Sequence, residues 1–142
     1  MDEYKILEIK EAVFADNDRE ADALRASLKK RGQFLLNLMS SPGSGKTTTL
    51  GRTIEALGDE LALAVMEADI DSDVDAATIA KLGAKTIQLH TGGMCHLDAG
   101  MCAQGLEGLA ADDADLVFLE SVGTLVCPAE CDTGACKHAC IL

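Results

Sequence analysis

The chain has no tryptophan, one tyrosine and three phenylalanines, so aromatic residues make up only 3% of it. Aliphatic side chains and alanine must therefore fill its core. No apolar run approaches the roughly 18 residues that span a bilayer. The N-terminus, MDEYKILEIKEAV, is charged and has no apolar signal-peptide centre. These absences point to a cytoplasmic protein with no membrane partner. Basic residues are also scarce, with 12 Lys+Arg against 24 Asp+Glu and a formal net charge of −12. Nucleic-acid binding rests on neutralising phosphates with cations, so that class is excluded. No repeat, linker or low-complexity tract is evident, and 142 residues correspond to one domain at about 150 residues each.

What is present is a hydrophobic content of 48%, enough for one buried core and too much for a disordered chain. Seven of the twelve basic residues precede Gly32, and none lies between Lys85 and Lys137. That stretch carries eight acids, which suit either a cation-attracting region or a solvated acidic face. All six cysteines (Cys95, Cys102, Cys127, Cys131, Cys136, Cys140) fall in the last third. In a reducing compartment such clustering favours metal or redox chemistry over disulfides.

Residues 1–32 read as a lead-in followed by an amphipathic helix over 20–31, with Leu24 and Leu28 one turn apart and Gly32 as its stop. Residues 33–142 read as alternating strands and helices. Strands are expected over 34–39, 61–67, 85–89 and 116–120, and helices over 46–57, 75–82 and 97–109. His138 to Leu142 looks like the opening of one more strand. Near-continuous apolar strands separated by helices imply crossover units and a mostly parallel sheet in a three-layer α/β phosphate-loop fold.

The segment Ser41-Pro42-Gly43-Ser44-Gly45-Lys46-Thr47-Thr48 carries the strongest chemical signal. It matches G-x-x-x-x-G-K-[ST] except that Ser40 stands at the first glycine position. A strand leads in and a helix leads out, which aims backbone N–H groups and the helix N-terminus at phosphates. Gly43 and Gly45 allow close backbone approach, Lys46 supplies a charge to the β- and γ-phosphates, and the Thr47 hydroxyl suits Mg²⁺. Asp69, beyond a buried strand, is the candidate carboxylate for orienting Mg²⁺. Glu120 ends the next buried strand and Gly123 follows, so a carboxylate and an N–H are available to a γ-phosphate. Asp71, Asp73 and Asp75 follow Asp69, and one of them suits a helix N-cap.

Cys95-His96 lies in a loop, and Cys127 lies beyond the Glu120 strand at the same end of a parallel sheet. Thiolate and imidazole are ligands that Zn²⁺ and Ni²⁺ favour. From spacing alone, a metal site and buried structural thiols both fit. Cys102 falls inside a helix and reads as core, while Cys131, Cys136, His138 and Cys140 show no recognised ligand spacing.

On these motifs, together with Glu67-Ala68-Asp69, Gly92-Gly93-Met94-Cys95-His96-Leu97-Asp98-Ala99 and Glu120-Ser121-Val122-Gly123-Thr124-Leu125-Val126-Cys127-Pro128, the sequence resembles the hydrogenase nickel-incorporation GTPases, the HypB-type accessory proteins, from about Ile6 to the C-terminus. Serine at position 40 is usual in that family. The resemblance implies GTP and Mg²⁺ as cofactors, Lys46, Thr47, Asp69, Asp75 and Glu120 in catalysis, and Pro42 to Thr48 with Gly123 around the nucleotide. It implies a Ni²⁺ or Zn²⁺ site of Cys95, His96 and Cys127 near a nucleotide-dependent homodimer interface. The implied role is nickel delivery in [NiFe]-hydrogenase maturation, with maturation proteins and the hydrogenase large subunit as partners.

Three departures accompany the resemblance. No cysteine-rich nickel motif precedes the domain, Ala68 and Thr78 replace a common Gly and Arg, and no N-K-x-D base-recognition motif is present. The expectation is a G domain incomplete at its C-terminus, whose last strand lacks neighbours and leaves an exposed edge. A non-catalytic nickel- or zinc-binding module is the alternative. The urease-accessory type is disfavoured because Ala129 follows Cys127-Pro128 where that motif has histidine. A nucleoside kinase would leave Cys95-His96 and Cys127 unexplained.

Overall fold

The computed structural model describes residues 5–8, 17–40, 46–69, 79–90, 98–120 and 133–141. In chain order its elements are β1 (Lys5–Glu8), α1 (Asn17–Arg31), β2 (Phe34–Ser40), α2 (Lys46–Leu57), β3 (Leu63–Asp69), β4 (Lys85–His90), α3 (Ala99–Leu109), β5 (Leu116–Glu120) and β6 (Lys137–Ile141). Residues 79–81 are also helical, and Gly83 with φ +97° turns the chain out of them. The expected helix residues 75–78 lie outside the described residues.

The six strands form one sheet in the order β1-β4-β3-β5-β2-β6, and every pairing is parallel. All carboxyl ends therefore lie along one edge. Alternate residues of each strand face opposite layers. Ala64, Met66, Val117 and Leu119 pack with Leu24 and Leu28 of α1 and Met101, Cys102 and Leu109 of α3. Leu63, Val65 and Phe118 pack with Leu50 and Ile54 of α2. Burial on both faces explains why these strands read as apolar runs, not as alternating ones. No helix among the described residues is long and apolar enough to cross a membrane.

Local chemistry sets the ends of the elements. Gly32, at φ +71°, donates its N–H to Lys29 O at 3.1 Å and stops α1. α3 approaches the sheet closely because a Cβ on Gly105 would sit 3.0 Å from Met66 Sδ, and one on Gly108 would sit 2.9 Å from Leu7 Cδ2.

Several expectations need correction. The lead-in contains β1, which pairs with β4; four residues are too few to show a period. α1 starts at Asn17, three residues before the expected helix. The strand expected over 61–67 runs from Leu63 to Asp69, because Asp115 Oδ2 accepts the Ala62 N–H at 2.9 Å and holds that segment in the preceding turn. Asp69 is thus the last residue of a strand, not the residue beyond one. α3 begins at Ala99, not Leu97, since Asp98 is its N-cap. The last strand does have a neighbour: β6 pairs with β2 and lies at the margin of the sheet.

Candidate functional site

The sequence places a phosphate loop after β2, and the topology decides what surrounds it. Residues 41–45 connect the carboxyl end of β2 to the first residue of α2, so the N-terminus of α2 belongs to the same sheet edge. That end carries the partial positive charge of the helix dipole and its unsatisfied N–H groups. β2 lies between β5 and β6. Leu38, two residues before the end of β2, is in register with Glu120, the last residue of β5.

Glu120 continues a row that crosses all six strands. Its members are Ile6, Gln88, Glu67, Glu120, Leu38 and Ala139. Three polar residues thus stand side by side at the centre of the row. They share the face of Val65 and Phe118 two residues earlier, the face covered by α2. Glu67 is 3% exposed, Gln88 1% and Glu120 1%. Each makes polar interactions, yet one oxygen of each (Glu67 Oε2, Gln88 Oε1, Glu120 Oε2) is buried without a hydrogen-bond partner among the described residues. Carboxyl oxygens on β5, next to the strand that leads into the phosphate-loop motif, and on β3 beside β5 are the hard donors that Mg²⁺ and its water shell favour. The donor set present therefore fits the expected ion. Asp69 pairs in register with His90 at the ends of β3 and β4, two residues closer to the edge than Glu67 and Gln88.

Of the expected site residues, the structure brings Lys46, Thr47 and Thr48 into the first turn of α2 and Asp69 and Glu120 to the ends of neighbouring strands at one sheet edge. Pro42, Gly43, Ser44, Gly45, Asp75, Gly123, Cys95, His96 and Cys127 lie outside the described residues. The strands that precede Cys95-His96 and Cys127 are β4 and β5, which end at that same edge with only β3 between them. Their axes are thus about 9.5 Å apart, two strand spacings. Among the described residues, no three His, Cys, Asp or Glu side chains are grouped to hold a metal.

Cys102 is core, as expected, at 0% exposure. Burial, and secondarily the Asp98 carboxylate, pushes its thiol up to about 12. A thiol so reluctant to ionise is a poor metal ligand and a poor nucleophile. Cys136 is partly buried, Cys140 is exposed, and neither forms a disulfide.

Sequence reasoning assigned no role to Glu67, Gln88 or Asn37. Asn37 is fully buried, and its Nδ2 lies 3.1 Å from His138 Nδ1, joining β2 to β6 three residues before the end of β2. The signal was available: each is a polar residue flanked on both sides by apolar ones within a largely buried strand, where an unexplained polar group is costly.

Comparison with known proteins agrees with this arrangement. The model of the CobW/HypB/UreG nucleotide-binding domain matches residues 34–139. The hydrogenase maturation factor HypB of Rhizobium leguminosarum bv. viciae is 42% identical over 142 residues, covering 100% of this chain and 48% of the relative. That of Escherichia coli (strain K12) is 46% identical over 138 residues, covering 97% and 47%. The chain therefore spans about half the length of these relatives. The crystal structure of HypB from Archaeoglobus fulgidus superposes with a TM-score of 0.80 at 36% identity, covering 91% of this chain and 63% of that one. The crystal structure of HypB from Helicobacter pylori in complex with nickel gives 0.79 at 35% identity, covering 87% and 59%. A fully parallel sheet with helices on both faces, matched in sequence over residues 34–139 and in shape across most of the chain, places it in the CobW/HypB/UreG family of nucleotide-binding domains, in its HypB-type group.

Proposed function

We propose that this domain binds GTP with Mg²⁺, hydrolyses it, and uses that cycle to govern nickel held by Cys95, His96 and Cys127 during hydrogenase maturation. The observation that carries the reading is the register of Leu38, Glu120 and Glu67, which sets a buried carboxylate pair beside the strand that feeds the phosphate loop. The names of the relatives supply the process, and the Helicobacter pylori structure with nickel supplies the cargo.

In this reading the loop from Pro42 to Gly45 gives its backbone N–H groups to the phosphates, and Lys46 bridges the β- and γ-phosphates. Thr47 and Asp69 hold Mg²⁺, which neutralises charge on the phosphates when bound. Glu120 orders the water shell beside it, and the Gly123 N–H meets the γ-phosphate. A water then attacks the γ-phosphorus in line, the bond to the β-phosphate oxygen breaks, and GDP and phosphate leave. Asp75 belongs to a segment that responds to loss of the γ-phosphate. Pairing of two copies, and exchange with maturation proteins and the hydrogenase large subunit in the cytoplasm, complete the proposal. Zn²⁺ is the competing ion for the same thiolate and imidazole donors.

The test is paired titration of the chain with GTP and with Ni²⁺. Lys46→Ala should weaken GTP binding by at least about tenfold, a loss of about 1.4 kcal/mol, and leave nickel binding intact. Cys95→Ser and Cys127→Ser should remove stoichiometric nickel and leave GTP binding intact. No affinity of the parent chain for guanine or adenine nucleotides, with nickel retained, would instead establish a metal-binding module without turnover.

A further inference from the structure

The amino-terminal edge of the sheet, opposite the edge to which β2 carries the phosphate loop, holds a cavity of about 430 Å³. Its walls come from the last turn of α2, the segment entering β3, the turn before β4 and the loop between α3 and β5. Ile54, Leu61, Leu63 and Ala84 give it an apolar lining, while Glu55, Asp59 and Asp113 line its exposed side. A cation, Lys85, also lines it, but the Lys85 Nζ donates to Ala110 O at 2.8 Å and is turned onto the end of α3. α2 and α3 both end beside the cavity, at Leu57 and Leu109, and bring the partial negative charge of two helix C-termini.

Leu82 belongs to the same lining and is 37% exposed. Its backbone is nonetheless fixed, since the Leu82 N–H donates to Ile79 O at 3.0 Å and the Gly83 N–H to Ala80 O at 3.1 Å. Its Cδ1 lies against α2, 3.2 Å from where a Cβ on Gly51 would stand. A scattered exposed leucine needs no explanation. This one is held in place at a cavity that is apolar within and acidic at its exposed side, and such a surface selects its occupant by both properties.

We propose that this cavity docks a segment of another protein that presents an arginine or lysine beside an aliphatic side chain. The aliphatic group packs on Leu82 and the apolar lining, and the long stem of the cation lies along the wall with its head among Glu55, Asp59 and Asp113. Exposed ion pairs contribute little each, so the apolar contact carries the affinity and the charges decide which segment fits. A second copy of this chain is a poor occupant, because each copy carries a formal net charge of −12. The site is independent of the nucleotide reading, and a partner seated there leaves the phosphate-loop edge of the sheet uncovered.

The experiment is an NMR titration of the full, isotope-labelled chain with the synthetic peptide acetyl-GLRLRG-amide, beside thermal melts of every variant. Amide shifts should saturate at one site and map to the last turn of α2, the turn at Leu82 and the loop before β5. Asp59→Lys and Asp113→Lys should each weaken the peptide about fivefold, and so should Leu82→Ser, which keeps the net charge. Asp18→Lys makes the same change in charge in the first turn of α1, at the other edge of the sheet, and should leave the affinity within about twofold. An equal loss in Asp18→Lys, shifts scattered over the surface, or no saturation by about 1 mM peptide overturns the site. The analogue acetyl-GARARG-amide should bind about fivefold more weakly. If it binds as tightly, the cavity attracts cations in general and the proposal of a partner segment falls.

Discussion

Glu67 and Glu120 are register partners on the adjacent parallel strands β3 and β5, with 3% and 1% of their surface exposed. Parallel neighbours lie about 4.8 Å apart and present paired residues to the same face. Two carboxyl groups so placed, beneath the layer of the phosphate-loop helix, are costly to a fold that needs only packing. Their place in the sheet is explained if a cation bound with nucleotide draws on the pair.

Glu120→Gln is expected to slow GTP hydrolysis about 100-fold, equivalent to about 2.7 kcal/mol of transition-state stabilisation. Its melting temperature without ligand should be no lower than that of the parent, since a neutral amide of equal size replaces one of two neighbouring carboxyls. Phosphate release and thermal melts check both, and unchanged turnover would place Glu120 outside the reaction.

Gln33 is a stability prediction of a different kind. Its Nε2 donates to Ala111 O at 2.7 Å and Ala114 O at 3.1 Å, and the residue is buried at the start of β2. Gln33→Leu keeps the volume but removes both donors, so it should cost about 2 kcal/mol. The urea midpoint should fall at constant m.

Gly105 tests how closely α3 approaches the sheet. A Cβ there meets Met66 Sδ at 3.0 Å and Leu89 Cδ1 at 3.1 Å, both side chains being fully buried. Alanine gains about 1 kcal/mol in helix propensity, against about 1–3 kcal/mol for overpacking. Gly105→Ala should be destabilising on balance, and a melting temperature above that of the parent would contradict the packing.

Cys102 carries a pH prediction. Its thiol is raised from 9.0 to about 12, chiefly by burial. The unfolded chain releases this proton first, so between about pH 9 and 12 the unfolded state binds fewer protons and stability falls as pH rises. The slope is about 1.4 kcal/mol per pH unit from this group, and below pH 9 it contributes none. Cys102→Ala should lose that part of the alkaline decline. In the native chain at pH 8, a thiol reagent should modify exposed Cys140 and spare Cys102.

Much of this was legible beforehand. The strands expected over residues 34–39, 85–89 and 116–120 and the helix over 46–57 are strong local patterns, and the structure has them within a residue or two. β1 escaped because KILE shows too little period to separate it from a charged lead-in. Asp69 closes β3 and does not follow it, since that strand starts two residues later than its pattern suggests, where the Asp115 side chain holds Ala62, 53 residues earlier, in the preceding turn. Glu67 and Gln88 went unassigned because their meaning lies in which strands they face.

The sequence by itself determined the types of its elements, the burial of its strands and the chemistry of its phosphate loop. Each follows from a side-chain period of 2 or 3.6 residues, or from glycines and a lysine at fixed spacing, and such properties are local. Only the tertiary structure decided that β5 lies between β2 and β3, that Glu120 stands beside both Leu38 and Glu67, and that Asn17 caps a helix 82 residues away. Strand order depends on which apolar faces bury one another across long separations. The row of Ile6, Gln88, Glu67, Glu120, Leu38 and Ala139 exists only once that burial is complete.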